Sequence, residues 1–129
     1  MNNEKKDQLA ALFNENEGPT VTDLETLPDK ALIALHVPDQ LTWFKGHFPD
    51  QKVLPGVVQI DWAGKFSKAL FAHSAVFTRI TNVKFKTMVM PETTMMLELI
   101  FNAEKGNVKF HFFSESESLS MGCFKFRTT

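Results

Sequence analysis

The chain has 129 residues, 43% of them apolar, and a formal net charge of −1. This is enough for a buried core, predicts one domain over residues 1–129 and excludes general disorder. Six Gly and six Pro exclude collagen-like and low-complexity classes, while 13 Phe, two Trp and no Tyr favour an apolar interior or tunnel over a Tyr-rich binding surface.

Charge is unevenly spread, with eight acids and three bases in residues 1–40 against seven acids and eleven bases in residues 41–129. The larger part suits an acidic partner. The imbalance is too small for a nucleic acid partner, and the only arginines are Arg79 and Arg127. The single cysteine, Cys123, allows no intrachain disulfide. The N-terminal residues lack the apolar core of a signal peptide, and no apolar run approaches the roughly 18 residues of a membrane helix. The expectation is a cytoplasmic protein without a membrane partner.

In chain order, Leu9, Leu12 and Phe13 share one side of a helix over residues 3–14, and residues 1–18 read as a short helical extension stopped by Gly18 and Pro19. Residues 21–27 and 31–37 read as strands, the second closed by Pro38. Residues 38–54 are irregular, and loops of that length inside a small domain are often functional. Pro55-Gly56 opens a helix over residues 57–71 whose apolar character predicts burial around most of its circumference. Residues 77–89 alternate as one strand up to Pro91. Further strands follow with Met95, Leu97 and Leu99 on one face, then Val108, Phe110 and Phe112, then residues 121–127. Strands joined by short turns predict an antiparallel sheet, and one apolar helix needs a sheet face to cover it. An α+β fold with the sheet wrapped around a central helix satisfies both.

The chemistry concentrates in GHFPDQKVLPGVVQID, residues 46–61. It sets His47 in a Pro-bounded loop and Asp61 inside an apolar helix, with the free N–H groups of a helix start at Gly56 between them. A base, an acid and a carbonyl polariser suffice for proton abstraction beside a thioester and loss of a β-hydroxyl.

At these residues the chain resembles the 3-hydroxyacyl-acyl carrier protein dehydratases of the FabA/FabZ type, which have the hot-dog fold. His-Phe-Pro, Pro-Gly-Val and the spacing of fourteen from His47 to Asp61 carry the likeness. LPGVVQIDWA, residues 54–63, looks most like the ApeI-like branch linked to aryl-polyene synthesis, and the resemblance extends over residues 20–127. It implies that His47 removes the α-proton of a 3-hydroxyacyl thioester, that Asp61 protonates the departing hydroxyl and that the Gly56 N–H binds the thioester carbonyl. The product is a trans-2-enoyl thioester, in fatty acid or aryl-polyene-type lipid synthesis. It further implies acyl carrier protein as the partner that brings the substrate, a homodimer with each site shared between subunits, and no metal or other cofactor. The chain departs from the pattern at Asp50 and Lys52, where Gly and Pro are common, and at Lys65, where Gln is frequent.

Plainer readings stand beside these. Asp61, Lys65 and Lys68 fall at i, i+4 and i+7, the spacing of a solvated stripe of ion pairs. His36, His73 and His111 read as structural, Cys123 as a small core residue, and Arg79, Lys84 and Lys86 as ordinary basic strand residues or a carrier-protein contact. The rival functions are a hot-dog acyl thioesterase, which does not need His47 in its loop, and a non-catalytic subunit that pairs with an active dehydratase.

Overall fold

A computed structural model describes residues 2–45, 52–72 and 74–128, with side chains from residue 4 to residue 127. The elements are α1 (Asn2–Ala10), β1 (Thr20–Leu27), β2 (Lys30–His36), a 3-10 turn (Thr42–Phe44), α2 (Gly56–Leu70), β3 (Ala75–Phe85), β4 (Thr94–Asn102), β5 (Asn107–Phe113) and β6 (Ser118–Thr128). The six strands form one antiparallel sheet in the order β1-β2-β4-β5-β6-β3.

Period-two alternation puts Ile33 and Leu35, Leu97 and Leu99, and Phe110 and Phe112 on the same sheet face, where none is more than 2% exposed. Helix α2 lays Trp62, Ala63 and Phe66 on that face, all fully buried. Burial of each such large side chain stabilises by about 1.5–3 kcal/mol relative to exposure. The sheet therefore wraps around α2, in the α+β hot-dog arrangement.

Three expectations need correction. Helix α2 is buried along one face only: Val58, Gln59, Trp62, Ala63, Phe66 and Ser67 face inward, whereas Val57, Asp61, Lys65 and Lys68 do not. Small residues such as Gly64 kept the sequence apolar without filling a core position. Helix α1 ends at Ala10, so Phe13 reaches the core from the turn that follows, while Leu12 is exposed. Strand β3 stops at Phe85 rather than Val89, and its pairing with β6 slips twice, between Phe77 and Arg79 and between Thr81 and Lys84. Asn82, at φ 56°, lies within the second slip, a left-handed conformation that Asn adopts more readily than most residues.

Candidate active site

Pro55 precedes α2 with φ −59° and ψ 145°, and its carbonyl accepts from the N–H groups of Val58 (3.0 Å) and Gln59 (3.3 Å). A proline here pre-sets the backbone angle at the helix start. The N–H groups of Gly56 and Val57 precede the first intrahelical bonds and have no partner among the described residues. Gly56 also lets Phe85 pack close: a Cβ there would lie 2.6 Å from Cζ at the outer edge of that ring, which would have to shift to admit it.

The start of the helix is pinned from behind. Leu54 N–H donates to the Val89 carbonyl at 2.8 Å. The buried Gln59 donates from Nε2 to the Leu54 carbonyl at 3.2 Å and accepts at Oε1 from Ser120 Oγ at 2.7 Å. Sequence reasoning assigned no role to Gln59. The signal for one was a single amide in the apolar run VVQI, on the face that turns inward. In front of the pinned helix start is a hollow of about 400 Å³, lined by Gly56, Val57, Ile60, Phe85 and Met88 among others.

Asp61 lies five residues beyond Gly56, about 7.5 Å along the axis and roughly 140° around it. Its Oδ2 is 3.1 Å from Lys65 Nζ, with both side chains about half exposed, as the i, i+4 spacing predicts. A pair this open stabilises by under about 1 kcal/mol. Asp61 borders a second hollow with Ile60, Gly64, Lys65, Lys68, Phe77 and Phe124. Ile60 lines both hollows, so they adjoin across one side chain.

His47 lies outside the described residues, as do Asp50 and His73; Lys52 is described as a mostly exposed residue. Of the site residues expected from sequence, Gly56 and Asp61 are thus brought onto one helix beside adjoining hollows. The two described histidines are engaged elsewhere, His36 Nε2 with Glu92 Oε2 at 2.7 Å and His111 Nε2 with Ser118 Oγ at 2.7 Å. Cys123 is buried on β6, and Arg79, Lys84 and Lys86 are exposed along β3 and just past it. No group of three His, Cys, Asp or Glu side chains among the described residues could hold a metal ion. No helix among them is long and apolar enough to cross a membrane. Chemically, two unpaired N–H groups at the positive end of a helix can hold a carbonyl oxygen, and a carboxylate on the adjoining hollow can exchange a proton.

Residues 24–123 match the family model described as ApeI-like, ApeI dehydratase. The chain is 32% identical over 76 residues to a 3-hydroxyacyl-(acyl-carrier-protein) dehydratase FabZ of Agrobacterium fabrum, covering 53% of this chain and 49% of the relative. A FabZ of Rickettsia massiliae is likewise 32% identical, over 73 residues. The chain spans about half the length of these curated relatives. Among solved structures, the dehydratase heterocomplex ApeI:P from Xenorhabdus doucetiae matches at TM-score 0.80 and 33% identity, covering 84% of this chain and 97% of that one. An uncharacterized protein from Erwinia carotovora subsp. atroseptica matches at TM-score 0.71 and 30% identity, covering 81% and 90%. The mouse thioesterase superfamily member 2, at 12% identity and TM-score 0.63 over 81% and 84%, shares the fold.

Proposed function

The chain belongs to the ApeI-like dehydratase family, and on that premise we propose that it converts 3-hydroxyacyl thioesters, delivered on acyl carrier protein, into trans-2-enoyl thioesters and water. The observation that carries this reading is the pair of N–H groups at Gly56 and Val57 without a partner among the described residues, on residues that line a hollow adjoining the one beside Asp61. The Gly56 N–H holds the thioester carbonyl, which acidifies the neighbouring Cα–H. His47 takes that proton, the electron pair forms the Cα–Cβ double bond, and the Cβ–O bond breaks. Asp61, having taken up a proton from solvent in place of its pairing with Lys65, gives that proton to the departing hydroxyl, which leaves as water; His47 then releases its proton to solvent, which restores the starting states.

A second copy of the chain completes the site in this reading. Asp61 is about half exposed, and β3 has an unpaired edge that shows Val76, Ile80 and Phe85. An open strand with apolar side chains invites pairing. The similarity to a subunit of a dehydratase heterocomplex favours a second arrangement, in which a related but different hot-dog chain takes that place. Exposed Arg79, Lys84 and Lys86 along the same strand suit an acidic carrier protein.

The test is enoyl-thioester formation from 3-hydroxyacyl-carrier-protein substrates of several chain lengths, with free thiol followed in the same samples. His47→Ala and Asp61→Asn should each lower turnover by roughly 10²-fold or more while leaving the fold intact. Thiol release without enoyl product would replace the dehydratase with a thioesterase. Activity that appears only with a second hot-dog subunit would establish the mixed pair.

A further inference from the structure

Residues 11–18 precede the family match, which begins at residue 24, yet they touch both the 3-10 turn and the helix that carries the proposed acid. The Glu17 carbonyl accepts from Trp43 Nε1 at 3.0 Å and from Trp62 Nε1 at 3.0 Å. Trp43 belongs to the 3-10 turn that leads towards His47, and Trp62 follows Asp61 on α2. One carbonyl oxygen, with its two lone pairs, thus serves both of the chain's indoles. The neighbouring Asn16 carbonyl accepts from Thr42 N–H at 2.8 Å, adding a second bond to the same turn. Asn16 adopts φ 63°, which turns the chain so that these successive carbonyls meet their donors.

Phe13 anchors the segment on the helix side. Its ring meets Trp62 and Phe66 edge-on, with centroids 6.3 and 5.4 Å away. It lies against Gly18 so closely that a Cβ there would come within 2.3 Å of it. Lys65 Nζ lies 5.3 Å over the same ring while pairing with Asp61 Oδ2 at 3.1 Å. The ammonium is thereby shared between an aromatic face and the proposed acid. Upstream, α1 holds the segment to the body of the protein through buried Leu9 and a Lys6 Nζ bond to the Thr22 carbonyl at 3.3 Å.

We infer that residues 11–18 are a brace that sets the 3-10 turn at Thr42–Phe44 against α2, with Phe13, Asn16 and Glu17 as positioning residues for the helix that carries the proposed acid. Its catalytic consequence rests on the dehydratase reading; its structural content does not. Small displacements of reacting groups are costly in rate. Holding α2 to the Glu17 carbonyl and the Phe13 ring limits such displacement, and Lys65 extends the hold to the Asp61 carboxylate.

The test uses the full chain and its two indole N–H resonances, followed by ¹⁵N-resolved NMR for exchange with solvent. Asn16→Val places a β-branched residue where φ is positive and strains the turn, whereas Asn16→Gly adopts that φ freely. In Asn16→Val the Trp43 indole should exchange at least tenfold faster, and kcat should fall roughly tenfold with KM changing less than about twofold. Asn16→Gly should keep both at wild-type values. Trp43→Phe removes the N–H together with part of the ring system, at a partly exposed position, and should lower kcat severalfold with little change in melting, which serves if Asn16→Val fails to fold. Unaltered indole exchange in Asn16→Val would overturn the brace itself. Faster exchange with unaltered kcat in both variants would overturn its positioning role. A wild type that dehydrates nothing would sink the dehydratase reading and the positioning role with it, while the indole exchange would still decide the brace.

Discussion

Strands β4 and β3 are written in the same alphabet and meet different fates. Each reads as a strand from apolar side chains at even spacing, Met95, Leu97 and Leu99 in β4 and Phe77, Val83 and Phe85 in β3. Strand β4 lies between β2 and β5 with unbroken register on both sides, and Met95, Leu97 and Leu99 are at most 1% exposed. Among the described residues strand β3 pairs with β6 alone; it slips twice and leaves Ile80 41% and Phe85 51% exposed. Alternation states which residues share a face; whether that face is covered depends on neighbours that come from elsewhere in the chain. Helix α2 repeats the contrast on its own circumference, with Trp62 and Phe66 fully buried and Asp61 and Lys65 open. The proposed acid lies on the open side of that helix.

The contrast is open to measurement, beginning at the centre. Phe110→Ala removes a ring only 2% exposed and packed against Phe112 and Phe124, with centroids 6.1 and 5.2 Å away. It should cost about 3–5 kcal/mol in urea unfolding. A loss near that of a surface substitution would mean that the centre of the sheet is not close-packed. Ser120→Ala comes next: it leaves the buried Gln59 Oε1 without its 2.7 Å donor and should cost about 1–3 kcal/mol by the same assay. An unchanged midpoint would show that the start of α2 is not held through Gln59.

Smaller effects belong to the open regions. Lys65→Ala should change unfolding free energy by under about 1 kcal/mol, because its partner Asp61 is about half exposed. A larger loss would mean that this face of α2 is covered in solution. Ile80→Lys, at the free edge, should disturb the fold of one chain least of all, leaving far-ultraviolet dichroism unchanged. Sedimentation velocity should nevertheless show the paired species dissociating to single chains. A variant that sediments as the wild type does would remove β3 from the proposed pairing surface.

Much of the site was legible because its parts are close in sequence. Pro55 and Gly56 announce a helix start through local backbone preference, and Gly56 and Asp61 fall on that helix whatever packs around it. The i, i+4 pairing of Asp61 with Lys65 follows from helical geometry alone. Gln59 was harder to read, since its partner Ser120 is 61 residues away and nothing near Gln59 identifies it. Phe13 was assigned to a helix that in fact ends at Ala10; its side chain instead meets Trp62, Phe66 and Lys65 from a turn.

The sequence by itself determined the element order, the inward faces of β4 and β5, and the place of Gly56 and Asp61 on one helix. All of these follow from periodicity and turn chemistry acting over a few residues. Only the tertiary structure decided that β3 is an edge, that α2 shows one face, and that the Glu17 carbonyl joins Trp43 to Trp62. Those outcomes depend on which distant segments arrive as neighbours. Local preference leaves that choice open, and burial of the shared apolar face resolves it.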